Sequence, residues 1–220
     1  MKKVGEIIKE TPLPIPPVVY DFTAESHTYT AGGQVFPSVT GILRDTGLID
    51  TQWFDELSRD RGSFVHLATQ FYDEGTLDAE TLDERIKPYL RGYIQFRADS
   101  GFEPLPILDQ VSDEEVLAEG RRFQNQYRYA GTIDRIGILK SGRKAVLDIK
   151  SGALHATTRL QLAAYQGLLD KPGDYTRIVV RLSNDGKYKV TEFPVSEYVR
   201  DFHLFASCLS VVTFKKENKL

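Results

Sequence analysis

Apolar residues recur at helical spacing in the first half of the chain and alternate or cluster at strand spacing in the second. Phe54, Leu57, Phe64, Ala68 and Phe71 predict a helix over 51–72. Ile86, Leu90, Tyr93 and Phe96 form a second stripe, predicting a helix over 82–100 that Gly101 stops. Ser38 is placed to cap a short helix over 39–43 that ends near Gly47. Ahead of these, 18–22 and 27–30 pattern as a small hairpin, with Gly32-Gly33 starting another turn. Residues 1–9 read as a frayed or helical leader, and Pro12, Pro14, Pro16 and Pro17 make a stiff extended entry.

From about Val111 the pattern changes to strands, over 116–124, 129–139 and 145–150, the last two joined by a turn at 140–143. A helix follows over 157–170, closed by Lys171-Pro-Gly-Asp174. Strands over 176–183 and 187–193 flank the turn Asn184-Asp-Gly186. Ser196 is placed to cap a closing helix that runs to about Phe214. The order is helix, three strands, helix, strand, with one strand and one helix appended. That order predicts an α/β domain over 36–220 with a mixed central sheet, a helical N-terminal elaboration and a C-terminal helix. An extension over 1–35, holding the small hairpin, precedes it.

The turn at 140–143 brings two acidic residues together. A two-residue loop at Ser141-Gly142 pairs positions summing to 283 and sets Asp134 opposite Ile149. A one-residue bulge at Gly142 lowers the sum to 282 and sets Asp134 opposite Asp148. Either register leaves two carboxylates within a residue of each other, at roughly 5 Å between Cα atoms for direct neighbours. Like charges so placed repel unless a cation lies between them, and hard oxygen ligands suit Mg²⁺ or Mn²⁺. Lys150 shares a strand face with Asp148, because side chains alternate with period two. The bland alternative is that both Asp residues are solvated positions on an outer face, but Asp is depleted in strands and each stands inside an apolar stretch.

Composition narrows the class. The 220 residues are enough for one well-buried domain, and 41% apolar with 27% charged residues is ordinary for a globular chain. No apolar run is long enough for a membrane span. Glu6, Lys9 and Glu10 interrupt any signal-peptide core, so a cytoplasmic location is expected, with no membrane partner. The single Cys208 excludes an internal disulfide and a four-cysteine iron–sulfur cluster held by this chain alone. Net charge is −3, yet its distribution is uneven. Residues 1–118 carry 10 Lys/Arg against 21 Asp/Glu, and residues 119–159 carry 9 against 3. The positive charge gathers around the carboxylate hairpin, as a polyanion approaching a metal would require.

Five segments in order carry a resemblance: Pro37-Ser-Val-Thr40, Arg61-Gly-Ser-Phe-Val-His66, Gly131-Thr-Ile-Asp134-Arg, Asp148-Ile-Lys150 and Gln161-Leu-Ala-Ala-Tyr165. Together they resemble the PD-(D/E)xK nuclease superfamily, and within it the RecB-like exonucleases. The resemblance covers roughly residues 36–170, and Asp148 stands where many members have Glu. It implies a restriction-endonuclease-like α-β-β-β-α-β core and a Mg²⁺- or Mn²⁺-dependent DNA nuclease with one or two ions. It implies Asp134, Asp148, His66 and the Ile149 carbonyl as metal ligands, with Glu119 in the outer shell. Lys150 would orient water or stabilise charge, and Gln161 and Tyr165 would position phosphate or water. Arg61, Arg121, Arg135 and Ser151, with Gln161 and Tyr165, are the candidate DNA contacts; Arg122 and Arg128 could extend the same track. The expected substrate is DNA that is single-stranded or has free ends, in recombination, repair or phage genome processing, in a bacterial or phage-infected cell, with a recombination or replication protein as a possible partner. A structure- or sequence-specific endonuclease and an inactive DNA-binding module of the same fold are the alternatives.

Overall fold

The structure is a computed structural model that describes residues 20–23, 28–49, 56–105, 121–124 and 126–220. The expected leader, the proline entry and Glu119 lie outside the described residues. Three antiparallel strands open the described chain: β1 (Tyr20–Thr23), β2 (Thr28–Ala31) and β3 (Gln34–Phe36). Gly32 and Gly33, both at positive φ, make the tight turn between the last two. Helix α1 (Val39–Asp45) follows, with the Ser38 hydroxyl accepting from the Gly41 amide at 3.0 Å, as its cap position predicts.

Helix α2 (Glu56–Glu74) runs two residues beyond its sequence-predicted end, and residues 51–55 of the prediction lie outside the described residues. Helix α3 (Lys87–Ser100) starts five residues later than predicted. Pro88 fits only the first turn of a helix, and Asp83 instead folds the preceding segment into a turn, its carbonyl accepting from the Ile86 and Lys87 amides. Gly101, left-handed at φ 57°, stops the helix as predicted.

The single strand predicted over 129–139 is broken in two. β6 (Tyr129–Thr132) pairs with β5 (Arg121–Gln124) in a separate ribbon, whereas β7 (Arg135–Ile138) joins the main sheet. The break falls at Ile133-Asp134, where the chain passes from one sheet to the other. β7 pairs with β8 (Lys144–Lys150) in the register Arg135↔Leu147. That is the bulged alternative summing to 282, and Gly142 at φ 80° supplies the bulge.

The main sheet runs β10-β9-β8-β7-β4, where β4 is Glu103–Pro104, β9 is Tyr175–Leu182 and β10 is Tyr188–Phe193. Only β8 and β9 pair in parallel, through a crossover that contains α4 (Thr158–Gln166). α4 ends four residues short of its prediction: beyond Gln166 the bonding tightens to the three-residue spacing, the Leu168 amide donating to the Tyr165 carbonyl and the Leu169 amide to that of Gln166. Helix α5 (Tyr198–Glu217) closes the chain. Ser196 does not cap it: Ser196 lies in a short 3-10 turn and the cap position is Glu197, whose carboxylate pairs with Arg159 at 2.6 Å.

Strand alternation divides the core. Ala145, Leu147 and Ile149 of β8 pack with α2 and α3, through Val65, Ala68, Tyr93 and Phe96. Val146 faces the opposite way, into the cluster of α1, α4 and α5. Asp148 and Lys150 share that second face. No described helix is long and apolar enough to cross a membrane.

Candidate active site

The break between β6 and β7 creates the site. Asp134 has left the strand line, so its side chain takes the place of a ladder acceptor, and Oδ2 receives the Ile149 amide at 2.7 Å. Its Oδ1 lies 3.3 Å from Nδ1 of His66, on α2. Asp148, only 1% exposed, points from β8 toward α4. Lys150, two residues on, donates to Asp148 Oδ1 at 2.9 Å and to Gln161 Oε1 at 3.3 Å. Gln161 in turn donates to the Tyr165 hydroxyl at 3.1 Å, one helical turn along. The structure thus brings His66, Asp134, Asp148, Ile149, Lys150, Gln161 and Tyr165 into one cluster.

The electrostatics follow from burial and neighbours. Burial raises the Asp148 carboxyl above its ordinary range, and the Asp134 charge adds to this against the pull of Lys150. Burial works in the same direction on Asp134, but the His66 imidazole, Lys150 and the Ile149 amide hold it below the usual range. Burial depresses Lys150, yet the Asp148 and Asp134 charges more than offset it and keep the ammonium protonated. The Tyr165 hydroxyl is pushed well above its usual range, by burial first and then by Asp134, so it remains a proton donor.

One atom fits a cation. Asp148 Oδ2 is buried and has no hydrogen-bond partner in the protein. A buried carboxylate oxygen without a donor is costly, and a bound cation would satisfy it. Among the described residues no three His, Cys, Asp or Glu side chains form a preassembled metal cage. The pair of carboxylates therefore suits an ion that keeps several waters and takes further ligands from a phosphate, which is how Mg²⁺ is usually held.

Of the expected DNA contacts, Arg61 and Ser151 flank this cluster. A Cβ built on Gly62 would lie 3.9 Å from Ser151 Oγ, so the α2 residue beside Arg61 abuts the end of β8. The Arg61 Nε is buried with no partner. Arg121 stands farther off on β5, its guanidinium 4.2 Å from the Phe22 ring centroid. Two arginines of the expected track are turned inward instead. Arg122 is 1% exposed, and the Arg135 side chain is 11% exposed and paired with Asp73 at 2.6 Å. Arg135, expected among the DNA contacts, is thus held by acceptors of the protein itself. Thr69, Asp73, Tyr93 and Arg97, which complete its surroundings, were not expected from the sequence. The signal for two of them is helical: Thr69 and Asp73 follow His66 by three and seven residues and so share its face.

Beside Asp134 a cavity of about 260 Å³ is lined by Tyr29, Ser38, Val39, Thr40, Gly131, Thr132 and Tyr165. Its lining is rich in hydroxyls, and Gly131 forms a wall that leaves no room for a Cβ, which would lie 2.8 Å from the Tyr165 ring.

The model of the PD-(D/E)XK nuclease superfamily matches residues 43–192, a span that holds every member of the cluster. Among solved structures, the chain is similar to a crystal structure from Eubacterium rectale named "Putative exonuclease". The two share 11% identity at a TM-score of 0.46, over 82% of this chain and 74% of that one, a likeness too distant to carry function. No curated protein matches the chain.

Proposed function

Because the chain belongs to the PD-(D/E)XK nuclease superfamily, we propose that it is a deoxyribonuclease of the RecB-like branch that hydrolyses DNA from a strand end with one or two Mg²⁺ or Mn²⁺ ions. The observation that carries this reading is the buried, unpartnered Oδ2 of Asp148 beside Asp134 and Lys150. Asp134, Asp148 and the Ile149 carbonyl would hold the ion, with His66 as a neutral imidazole ligand from α2 and Glu119 as an outer-shell candidate. When bound, a divalent ion supplies an activated water and relief of charge on the phosphate.

The protein's own groups do the rest. Lys150 stays cationic, so it stabilises the negative charge that builds on the phosphorus oxygens instead of acting as a base. Gln161 fixes the direction of the Lys150 ammonium and of the Tyr165 hydroxyl at once. Tyr165, protonated throughout the neutral range, offers its proton to a phosphate oxygen or to the attacking water. Arg61 and Ser151 hold the adjoining backbone phosphate at the mouth of the cluster, and Arg121 adds a more distant contact. Such an activity would serve recombination, repair or phage genome processing in the cytoplasm.

Digesting covalently closed circular DNA beside linear single and double strands, with and without chelator, tests this. The reading expects degradation of linear DNA alone, abolished by chelation. Cleavage of the closed circle would make the protein an endonuclease.

A further inference from the structure

Arg135 is the first residue of β7 and the chain neighbour of Asp134, and its guanidinium bonds to three acceptors, two on α2 and one at the break between β6 and β7. Nε donates to Asp73 Oδ2 at 2.6 Å. One terminal nitrogen donates to the Asp134 main-chain carbonyl, and the other reaches the Thr69 hydroxyl at 3.3 Å. That hydroxyl donates onward to the His66 carbonyl at 2.9 Å. One planar group therefore braces the backbone of both residues whose side chains meet at 3.3 Å. Its anchor is itself fixed: Asp73 also accepts from the Tyr93 hydroxyl and from Arg97, each at 2.7 Å, and Arg97 donates to the Phe102 carbonyl at 3.1 Å.

We propose that Arg135 is a positioning residue that sets the spacing of His66 and Asp134, acting directly on one and through Thr69 on the other. Its consequence for the cleavage rate rests on the nuclease reading; its consequence for metal affinity does not. Only a forked guanidinium meets three acceptors in fixed directions, and lysine, with the same charge, offers a single nitrogen. All three nitrogens of Arg135 are engaged by acceptors within the protein.

The test compares Arg135→Lys, Thr69→Val and Thr69→Ser with the unaltered full chain. It measures melting temperature, Mn²⁺ affinity by calorimetry without DNA, and kcat and KM on linear DNA. Loss of a group that orients ligands costs about 10- to 100-fold in affinity or rate, and Arg135→Lys should lose that much in both Mn²⁺ affinity and kcat, with KM changed less than about twofold. Thr69→Val removes one hydrogen bond and should lose about threefold in kcat, most of which Thr69→Ser should restore. A lower melting temperature with unchanged Mn²⁺ affinity and unchanged kcat per folded molecule would make Arg135 a brace of the fold only and overturn the proposal. A raised KM and a shallower salt dependence at unchanged kcat would make it a phosphate contact and overturn it as well. If Arg135→Lys does not fold, the Thr69 pair decides. If the unaltered protein cleaves no DNA, the nuclease reading fails and the Mn²⁺ titrations alone decide the role of Arg135.

Discussion

Replacing Asp201 with Asn removes the charge at the centre of a buried cluster that ties α4, β9 and α5 together. Asp201 and Arg177 have no exposed side-chain surface, and Arg177 donates to Asp201 Oδ2 at 2.8 Å. Arg159, on α4 two residues before Gln161, donates to both oxygens at 3.1 and 3.0 Å. The carboxamide keeps the shape but leaves the Arg177 charge uncompensated and turns an NH₂ toward donors. Breaking a buried pair on one side costs about 3–5 kcal/mol. For a chain of this size each kcal/mol moves the melting temperature by roughly 2–4 °C, so a fall of about 6–20 °C is expected. The pH dependence has a definite sign. Burial opposes ionisation of Asp201, but Arg159 and Arg177 overcome it and hold the carboxyl below its ordinary 3.8. A depressed folded-state pKa stabilises the fold fully above the unfolded value and loses that effect as pH falls through the folded one. The gap between the two proteins in urea unfolding should therefore be full at neutral pH and shrink in acid below 3.8. A gap under about 1 kcal/mol at neutral pH, the size of an exposed ion pair, would refute the reasoning.

Lys150→Gln should lower kcat per folded molecule by about 10²–10³, measured by steady-state cleavage, and should also lower the melting temperature because the buried Asp148 loses its cation. With that cation gone, the already raised Asp148 carboxyl rises further, so the acid limb of the rate profile should move to higher pH. Gly131→Ala places a Cβ 2.8 Å from the Tyr165 ring and 3.1 Å from Val39, an overpacking worth about 1–3 kcal/mol. Both stability and kcat should fall in that variant, and an unchanged kcat would show that the Tyr165 position is not needed.

How much of this was legible in the sequence depended on the range of the interaction. Short-range signals read well: the Ser38 cap, the Gly101 stop, the Asn184-Asp-Gly186 turn and the proximity of Asp134 to Asp148 each rest on neighbours in the chain. The hairpin register was narrowed to two, and the structure selects the bulged one, because Gly142 adopts the positive φ that the bulge needs. The break at Ile133-Asp134 was not visible, since the residues on both sides of Asp134-Arg135 pattern alike as strand and the two halves join different sheets only in three dimensions. β4, two residues long, carries no periodicity at all. The ion pair of Arg135 was hidden for a related reason. A surface arginine and a buried one look alike in sequence, and its partner Asp73 lies 62 residues away.

The central claim is that Asp134 and Asp148 hold the ion that drives DNA hydrolysis. Titrating Mn²⁺ calorimetrically into the unaltered protein and into Asp148→Asn, and measuring cleavage of end-labelled linear DNA on the same preparations, tests it most directly. The account predicts that the variant folds, loses Mn²⁺ binding at this site and cleaves no DNA. A folded Asp148→Asn protein that still binds Mn²⁺ with unaltered affinity and keeps its cleavage rate would contradict it.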